Sequence, residues 1–312
     1  MKKQALVTGA GGFVGQHLLK HLQTCGWEVF GCDIVQKEGL FYCDLQKKEQ
    51  IETLLNQIGP LSTVFHLSAI SFVPQSMQDP LSCFKTNTDS VIMFTELLHK
   101  HYGSKDLNFV FISSSEVYGP PCYLPIDEKH PLNPQNPYAI SKLTSDLYCQ
   151  YLNRNRLLST IIIRPFNHSG AGQNEQFVLS NFAKQFVEIE KGIKEPTLYV
   201  GNIEVERDFL HVSDVVRAYE TLAQYGERGE VYNLCSGSPY SIKQIIEILQ
   251  KETGIKVEVI IDSKRTRTHD IHKIYGSYEK LKVGTSWEPK LNIEDILTDL
   301  LNYWRNKLSN TN

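Results

Sequence analysis

The sequence predicts an α/β chain: a doubly wound parallel sheet, with a smaller mixed region toward the C-terminus. Two observations carry this. Short apolar runs alternate with amphipathic helical patterns through the first half, as expected of parallel strands covered on both faces. After Arg164-Pro165 the alternation gives way to a Gly-rich stretch, with Gly170 and Gly172, and to shorter mixed elements. The 312 residues suit one large or two modest domains, and 41% apolar with 21% charged residues is ordinary for a chain with a real core.

The elements read in order. Ala5-Leu-Val7 is a buried strand and Phe13 to about Cys25 a helix. Val29 and Phe30 lie in a second strand, and Leu40 to Cys43 in a third. Ile51 to Ile58 is helical, and Thr63 to Leu67 is a strand. Pro80 is suited to open a helix, and no proline interrupts Leu81 to His101, so one long helix is expected there. Asn108 to Ile112 is a strand, Tyr138 to Asn153 a helix and Leu158 to Ile163 a strand. Beyond the break come a helix near Leu179 to Lys191, strands at Thr197 to Val200 and Val231 to Leu234, and helices at Ile242 to Glu252 and Ile293 to Leu308.

Charge and cysteine usage narrow the function classes. The formal net charge is -3, with no long basic run, so bulk binding to nucleic acid or an anionic membrane has no support. The seven cysteines form no C-x-x-C pair and their number is odd, which argues against a disulfide framework or a zinc site. No metal is expected, and a cytoplasmic location is. The N-terminal apolar run is cut by Gly9, unlike a signal peptide, and no run of ~18 apolar residues suggests a membrane span.

Thr8-Gly-Ala-Gly-Gly-Phe-Val-Gly15 joins the first strand to the first helix. Gly9, Gly12 and Gly15 let backbone N–H groups approach a pyrophosphate at a helix N-terminus. A glycine pattern alone is weak; between a strand and a helix it marks a Rossmann-type fold. Asp33 ends the second strand, where a carboxylate accepts ribose hydroxyls and repels a 2′-phosphate. NAD is therefore expected, with NADP as the alternative, since Lys37 nearby would soften the repulsion. The plainer reading of Asp33 is a turn residue. Asp44 is read either as a partner for the adenine amino group or as a helix N-cap.

Tyr138-Ala-Ile-Ser-Lys142 places a phenol and an ammonium on one helix face. An ammonium beside a phenol favours the phenolate, so Lys142 is expected to lower the pKa of Tyr138. Chance often produces Y-x-x-x-K. Here it starts a helix in a chain that already holds a dinucleotide turn. Ser113-Ser-Ser-Glu-Val-Tyr-Gly119 follows the Asn108 strand at its C-terminal end, where such sheets build sites. Ser114 is suited to hold an oxygen that alternates between alcohol and ketone; otherwise the cluster is a polar loop.

With these pieces the chain resembles the extended short-chain dehydrogenase/reductases along nearly its whole length. The match rests on the glycine turn, His66-Leu-Ser-Ala69, Ser113 to Gly119, Tyr138 to Lys142 and Arg164-Pro165. The resemblance implies Tyr138 as acid/base, Lys142 on the nicotinamide ribose and Ser114 on the substrate oxygen. It adds Phe13, Val14, Leu45, Leu67 and Ser68 as cofactor contacts. It makes residues 1–165 the NAD(P)-binding domain and 166–312 mainly a nucleotide-sugar region interleaved with the main sheet.

Arg164-Pro-Phe-Asn-His-Ser-Gly-Ala-Gly-Gln173, Gln176-Phe-Val178 and Phe182-Ala-Lys-Gln185 are most similar to GDP-mannose 4,6-dehydratases and GDP-6-deoxy-4-keto-mannose 4-reductases. By this likeness Asn167, Phe177, Val178, Lys184, Arg207 and Arg267 bind substrate, the arginines on its diphosphate. Thr268 stands where the family has proline, which weakens Arg267. The dehydratases carry a long insertion after the second strand, whereas here the next strand follows Asp33 within about ten residues. That favours a 4-reductase. Glu116 takes the position of the dehydratase base, although reductases retain it too. A 4,6-dehydratase, a C4 epimerase and a non-catalytic dinucleotide sensor stand as alternatives. A homodimer is implied through the helices near Leu81–Tyr102 and Tyr138–Asn153, although Phe84, Val91, Met93, Phe94, Leu143, Leu147 and Tyr151 would equally serve as core.

Overall fold

The computed structural model describes residues 3–103, 107–262 and 271–309. The first half contains β1 (Gln4–Thr8), α1 (Phe13–Thr24), β2 (Glu28–Asp33), β3 (Phe41–Tyr42), α2 (Lys48–Gln57) and β4 (Thr63–His66). Then come α3 (Val73–Gln78), α4 (Pro80–Phe84), α5 (Ser90–Tyr102), β5 (Asn108–Ile112), α6 (Pro137–Arg154) and β6 (Ser159–Pro165). The second half contains β7 (Asn167–Ser169), α7 (Val178–Glu190), β8 (Thr197–Val200), β9 (Glu206–His211), α8 (Val212–Tyr225) and β10 (Val231–Leu234). It ends with β11 (Pro239–Ser241), α9 (Ile242–Thr253), β12 (Glu258–Ile261), β13 (Lys273–Ile274), α10 (Glu279–Thr285) and α11 (Ile293–Ser309).

Seven strands form one parallel sheet in the order β10-β6-β5-β4-β1-β2-β3. Alternation along each strand feeds two separate cores. Ala5, Val7, Ile161 and Ile163 pack with Leu18 and Leu22 of α1 and Tyr219 and Leu222 of α8. Leu6, Val64, Phe109 and Ile162 pack on the other face with Leu54, Phe94, Leu98 and Leu152. Sheet order reverses beside β1, which has β2 on one side and β4 on the other. The crevice over the strand ends at such a point is where these sheets bind ligands.

Away from the main sheet, β9 pairs with β7 and β13 in parallel and with β11 antiparallel. The amphipathic faces of α7, α9 and α11 meet in a third core around Phe182, Phe186, Ile245, Leu249, Leu300 and Trp304. Among the described residues no helix is long and apolar enough to cross a membrane.

The long helix expected from Leu81 to His101 is present as continuous helical backbone from Pro80 to Tyr102, with one irregular turn inside it. It starts as α4, widens into a π-helical turn over Lys85–Asp89, and resumes as α5. Polar bonds tie this turn to α6. The Ser145 hydroxyl donates to the Asn87 carbonyl at 2.7 Å, and the Thr88 hydroxyl donates to the Ser141 carbonyl at 3.2 Å. The patterning also places Val91 and Phe94 in the core, not on a free face.

Gly15 has no room for a side chain: a Cβ there would lie 2.3 Å from the Gly9 carbonyl oxygen and 2.7 Å from Ala10 Cα. Gly15→Ala is expected to cost at least about 2 kcal/mol, because both obstacles are backbone. Urea unfolding beside the parent chain measures it; an unchanged midpoint would refute the packing argument.

Candidate active site

The glycine turn is tied to its neighbours by backbone bonds. Gly9 has φ +66, a conformation glycine adopts at no steric cost, and its carbonyl accepts the Gly12 N–H at 3.1 Å. Gly12 precedes α1 with no side-chain cap, so the first amides of the helix, including those of Phe13 and Val14, lack intrahelical partners. The Asp33 carboxylate accepts the amides of Gly11 at 2.8 Å and Val35 at 3.0 Å. This aligns a negative charge with the turn at the end of β2. Ser68 donates its amide to Thr8 Oγ1 at 3.3 Å, and Leu67 donates its own to the Thr8 carbonyl. Gly9, Gly12, Phe13, Val14, Gly15, Asp33, Leu67 and Ser68 thus gather at the strand ends.

Asp44 and Leu45 sit after β3. Asp44 Oδ1 accepts the Gln46 amide at 2.9 Å, so it shapes the turn before α2, while the N-cap itself is Lys47. Leu45 is buried in the core beside Cys32 and Cys43. Asn87 was not foreseen. Its side chain accepts the Ile70 amide at 2.8 Å and donates to the Ile70 carbonyl at 3.0 Å, fixing the loop after β4. His66 is fully buried among Phe94, Phe109 and Phe111, and burial, then Lys142, pull its pKa down to about 3.

Asn136 caps α6 by accepting the Ala139 amide at 2.8 Å, and Pro137 opens the helix. This places Tyr138 in the first turn and Lys142 one turn later, both buried. Ser114, at the end of β5, hydrogen-bonds the Tyr138 phenol. Ser114 also accepts the Glu116 amide at 3.2 Å, starting a short turn over Ser115–Tyr118. Glu116 is exposed on that turn, and its Oε2 accepts from the Asn136 side chain at 3.1 Å.

The electrostatics reverse one expectation. The Tyr138 phenol is pushed up to about 12, first by burial; the Ser114 bond opposes this and Glu116 adds to it. Burial outweighs any help from Lys142, whose own pKa falls to about 8 because burial penalises the charged form. The Lys142 ammonium lies over the Phe111 ring, 4.7 Å from its centroid.

A stability test follows. Below about pH 8 both folded and unfolded chains hold the Lys142 proton, so its burial penalty is constant. Between about 8 and the ordinary 10.5 only the unfolded chain holds it, and stability rises with pH. Lys142→Met should therefore exceed the parent at pH 7 by an amount of order 3 kcal/mol, the gap closing toward pH 10. Equal stability of the two at pH 7 would contradict it.

Beneath this set lies a buried polar network that the sequence did not announce. Asp146, one turn past Lys142, accepts from Ser113 Oγ at 2.8 Å and from Arg164 Nε at 2.9 Å and Nη2 at 3.2 Å. Arg164 Nη1 donates to the Tyr118 hydroxyl at 3.0 Å, which donates to Asn233 Oδ1 at 2.7 Å. Burial works against the Arg164 charge, but Asp146 more than compensates and raises its pKa.

The second half touches the glycine turn and the loop after β4 through ring contacts. Phe13 stacks on His168 at 6.4 Å between ring centroids, and Asn167 Nδ2 donates to the Asp208 carbonyl at 3.2 Å. Phe177 meets Phe72 edge-on at 5.8 Å, with Val178 exposed beside it at the start of α7. Arg207 lies on β9, its Nη1 donating to the Glu206 carbonyl at 2.9 Å. Lys184 is engaged by Glu175 at 2.6 Å and Glu188 at 3.6 Å. Arg267 lies outside the described residues. Asp208, also unforeseen, is fully buried and accepts from Ser236, Gly237 and Gly276, locking the turn after β10 to β9.

Three comparisons place this architecture. The chain is 32% identical over 310 residues to GDP-6-deoxy-D-mannose reductase of Pseudomonas aeruginosa, covering 99% of each. It matches the structure of RMD from Pseudomonas aeruginosa complexed with NADPH with a TM-score of 0.89 at 32% identity, over 98% of this chain and 100% of that one. It matches UDP-glucose 4-epimerase of Thermotoga maritima with UDP-glucose with a TM-score of 0.88 at 27% identity, over 98% and 99% of the two chains. A family model described as GDP-mannose 4,6 dehydratase matches residues 6–300, so the chain belongs to that family.

Proposed function

We propose that the protein is a nucleotide-sugar 4-reductase that transfers hydride from a reduced nicotinamide dinucleotide to C4 of a GDP-linked 4-keto-6-deoxy sugar. One observation carries this choice: the relative from Pseudomonas aeruginosa, 32% identical over 310 residues with 99% of each chain covered, is named a GDP-6-deoxy-D-mannose reductase. In this reading the Tyr138 phenol, which burial pushes up to about 12, is the acid that ketone reduction needs at the carbonyl oxygen.

The turn fits a dinucleotide. A side chain at Gly15 would meet backbone, one at Gly11 would meet the Asp33 carboxylate at 3.0 Å, and the exposed Gly12 leaves the helix amides open to a phosphate. The dinucleotide supplies hydride chemistry at its nicotinamide. In this reading Gly9, Gly12, Phe13, Val14 and Gly15 hold its pyrophosphate, and Asp33 orients a ribose. Asp44, Leu45, Leu67 and Ser68 line its path, and Lys142 holds the second ribose. Ser114 Oγ positions the C4 oxygen and Tyr138 Oη gives it a proton. Asn167, Phe177, Val178, Lys184, Arg207 and Arg267 receive the sugar nucleotide, so residues 1–165 serve mainly the cofactor and 166–312 mainly the substrate. The Asp33 charge supports NAD(H), while the RMD structure with NADPH supports NADP(H); the relative KM values decide between them.

The test presents GDP-mannose, and separately GDP-4-keto-6-deoxy-mannose with NADH or NADPH. Loss of the reduced-nicotinamide absorbance with the keto sugar, and no water loss from GDP-mannose, is the expected result. Water loss from GDP-mannose without net cofactor use would make the protein a dehydratase with Glu116 as its base. The reading includes a homodimer, supported by Leu147 and Tyr151 of α6, which are 47% and 46% exposed on one helix face. Sedimentation velocity is expected to show two chains per particle, and Leu147→Glu a monomer.

A further inference from the structure

The end of α1 and the middle of α8 meet in a side-chain cluster that the proposed chemistry does not use. His21 and Cys25 are one turn apart at the end of α1, and Glu220 projects from α8. His21 Nε2 lies 3.1 Å from Glu220 Oε2 and 3.7 Å from Cys25 Sγ, and the ligand atoms of the three residues are all within 4.8 Å of one another. Among the described residues this is the only such group of three.

Imidazole nitrogen, thiolate sulfur and carboxylate oxygen form a ligand set suited to zinc. With bonds of about 2.0–2.3 Å in a tetrahedral site, neighbouring ligand atoms stand roughly 3.3–3.6 Å apart. The two closest separations here fall within a few tenths of an ångström of that range. The carboxylate is also oriented from behind. Its other oxygen, Oε1, accepts the Trp27 indole N–H at 3.1 Å and the Gln224 side-chain amide, which leaves Oε2 to face His21. Partners of this kind fix metal ligands in place. Lys3 is directed elsewhere, to the Gln224 side chain at 2.5 Å and over the Trp27 ring. The Cys25 side is exposed, so an ion would enter directly from solvent.

We propose that His21, Cys25 and Glu220 bind a zinc ion, with water in the fourth position and the thiol proton released to solvent, and that the ion clamps α1 to α8. Along α1, at about 1.5 Å per residue, His21 lies roughly 13 Å and Cys25 roughly 20 Å from the glycine turn. The site is thus independent of the reaction proposed above.

The full-length chain, stripped with chelator and dialysed, is titrated with Co2+ as a spectroscopic probe. The expected result is a tetrahedral visible spectrum with a sulfur-to-cobalt charge-transfer band, saturating at one ion per chain and abolished by Zn2+. Cys25→Ser should remove that band. Glu220→Gln should weaken binding by about 10–100-fold, at least the cost of losing an outer-shell partner. Cys122→Ser, at another exposed thiol, should change neither. Zn2+ should raise the unfolding midpoint of the parent chain and not that of Cys25→Ser. Because Cys25 is exposed, Cys25→Ser should unfold like the parent without metal, which separates lost ligation from lost folding. Absence of the band, or the same spectrum, affinity and zinc-dependent midpoint in Cys25→Ser, would overturn the proposal and leave His21–Glu220 as a plain tie between helices.

Discussion

Tyr138→Phe is expected to lower kcat for keto-sugar reduction by about 10²–10⁴-fold while leaving the fold intact. The substitution removes one oxygen and keeps the ring that fills the start of α6. The lost atom is the one bonded to Ser114, the only side-chain hydrogen bond that acts on the phenol's ionisation. Ser114 remains able to bond solvent or substrate, so the stability change should be small. Cofactor affinity should also persist, because the glycine turn and Asp33 are bonded to each other and not to Tyr138. The measurement is single-turnover oxidation of reduced cofactor with the keto sugar, beside the unfolding midpoint and cofactor binding. Loss of rate with both controls unchanged assigns the proton to Tyr138. A retained rate would remove the proposed acid and return the dinucleotide-sensing alternative to consideration. The pH profile gives a second check. With the phenol at about 12, reduction should show no loss of acid from Tyr138 between pH 6 and 9, whereas a phenol lowered by Lys142 would give a falling limb in that range.

The contrast between that phenol and its sequence-based expectation shows where sequence reasoning stopped. Spacing placed Tyr138 and Lys142 on one face, and the structure agrees. Spacing says nothing of burial, and burial decides the sign of both shifts. The seven-stranded sheet was legible because alternate apolar residues such as Leu6 against Ala5 and Val7 feed two opposite cores. The glycine turn was legible because its steric demands are local. The π-helical turn inside the helix after Pro80 was not, since the groups it bonds, Ser141 and Ser145 on α6, lie far along the chain. Asn87 and Asp208 were hidden for the same reason: their partners lie at Ile70 and at 236–237 and 276, beyond any local pattern. A signal did exist for α8, where Val212, Val215, Val216, Tyr219 and Leu222 recur at helical spacing and are all buried.

The largest stability effect is expected at Asp146. Its carboxylate and the Arg164 guanidinium are both out of solvent, with side-chain exposures of 0% and 3%, and joined through two nitrogens of the guanidinium. Among the described residues, Asp146→Ala would leave the buried Arg164 guanidinium hydrogen-bonded to the Tyr118 hydroxyl alone, and Ser113 without its acceptor. Breaking a buried pair from one side costs about 3–5 kcal/mol, because the remaining charge is uncompensated. Removing both charges is different. The double variant Asp146→Leu/Arg164→Met replaces the pair by apolar side chains and should recover most of the loss, since desolvation then no longer opposes folding. Denaturant unfolding of the parent, both single variants and the double variant closes the cycle. If Asp146→Ala alone proves as stable as the parent, the network is not a structural pair. The same cycle bears on the site. Asp146 lies one turn beyond Lys142 and, after burial and Cys149, is among the groups that set its pKa, in the direction of keeping it charged. A double variant that regains stability but loses reduction would therefore show that the pair is kept for the charge state of Lys142 and the placement of Ser113–Ser114. Regaining both would show that it serves folding alone.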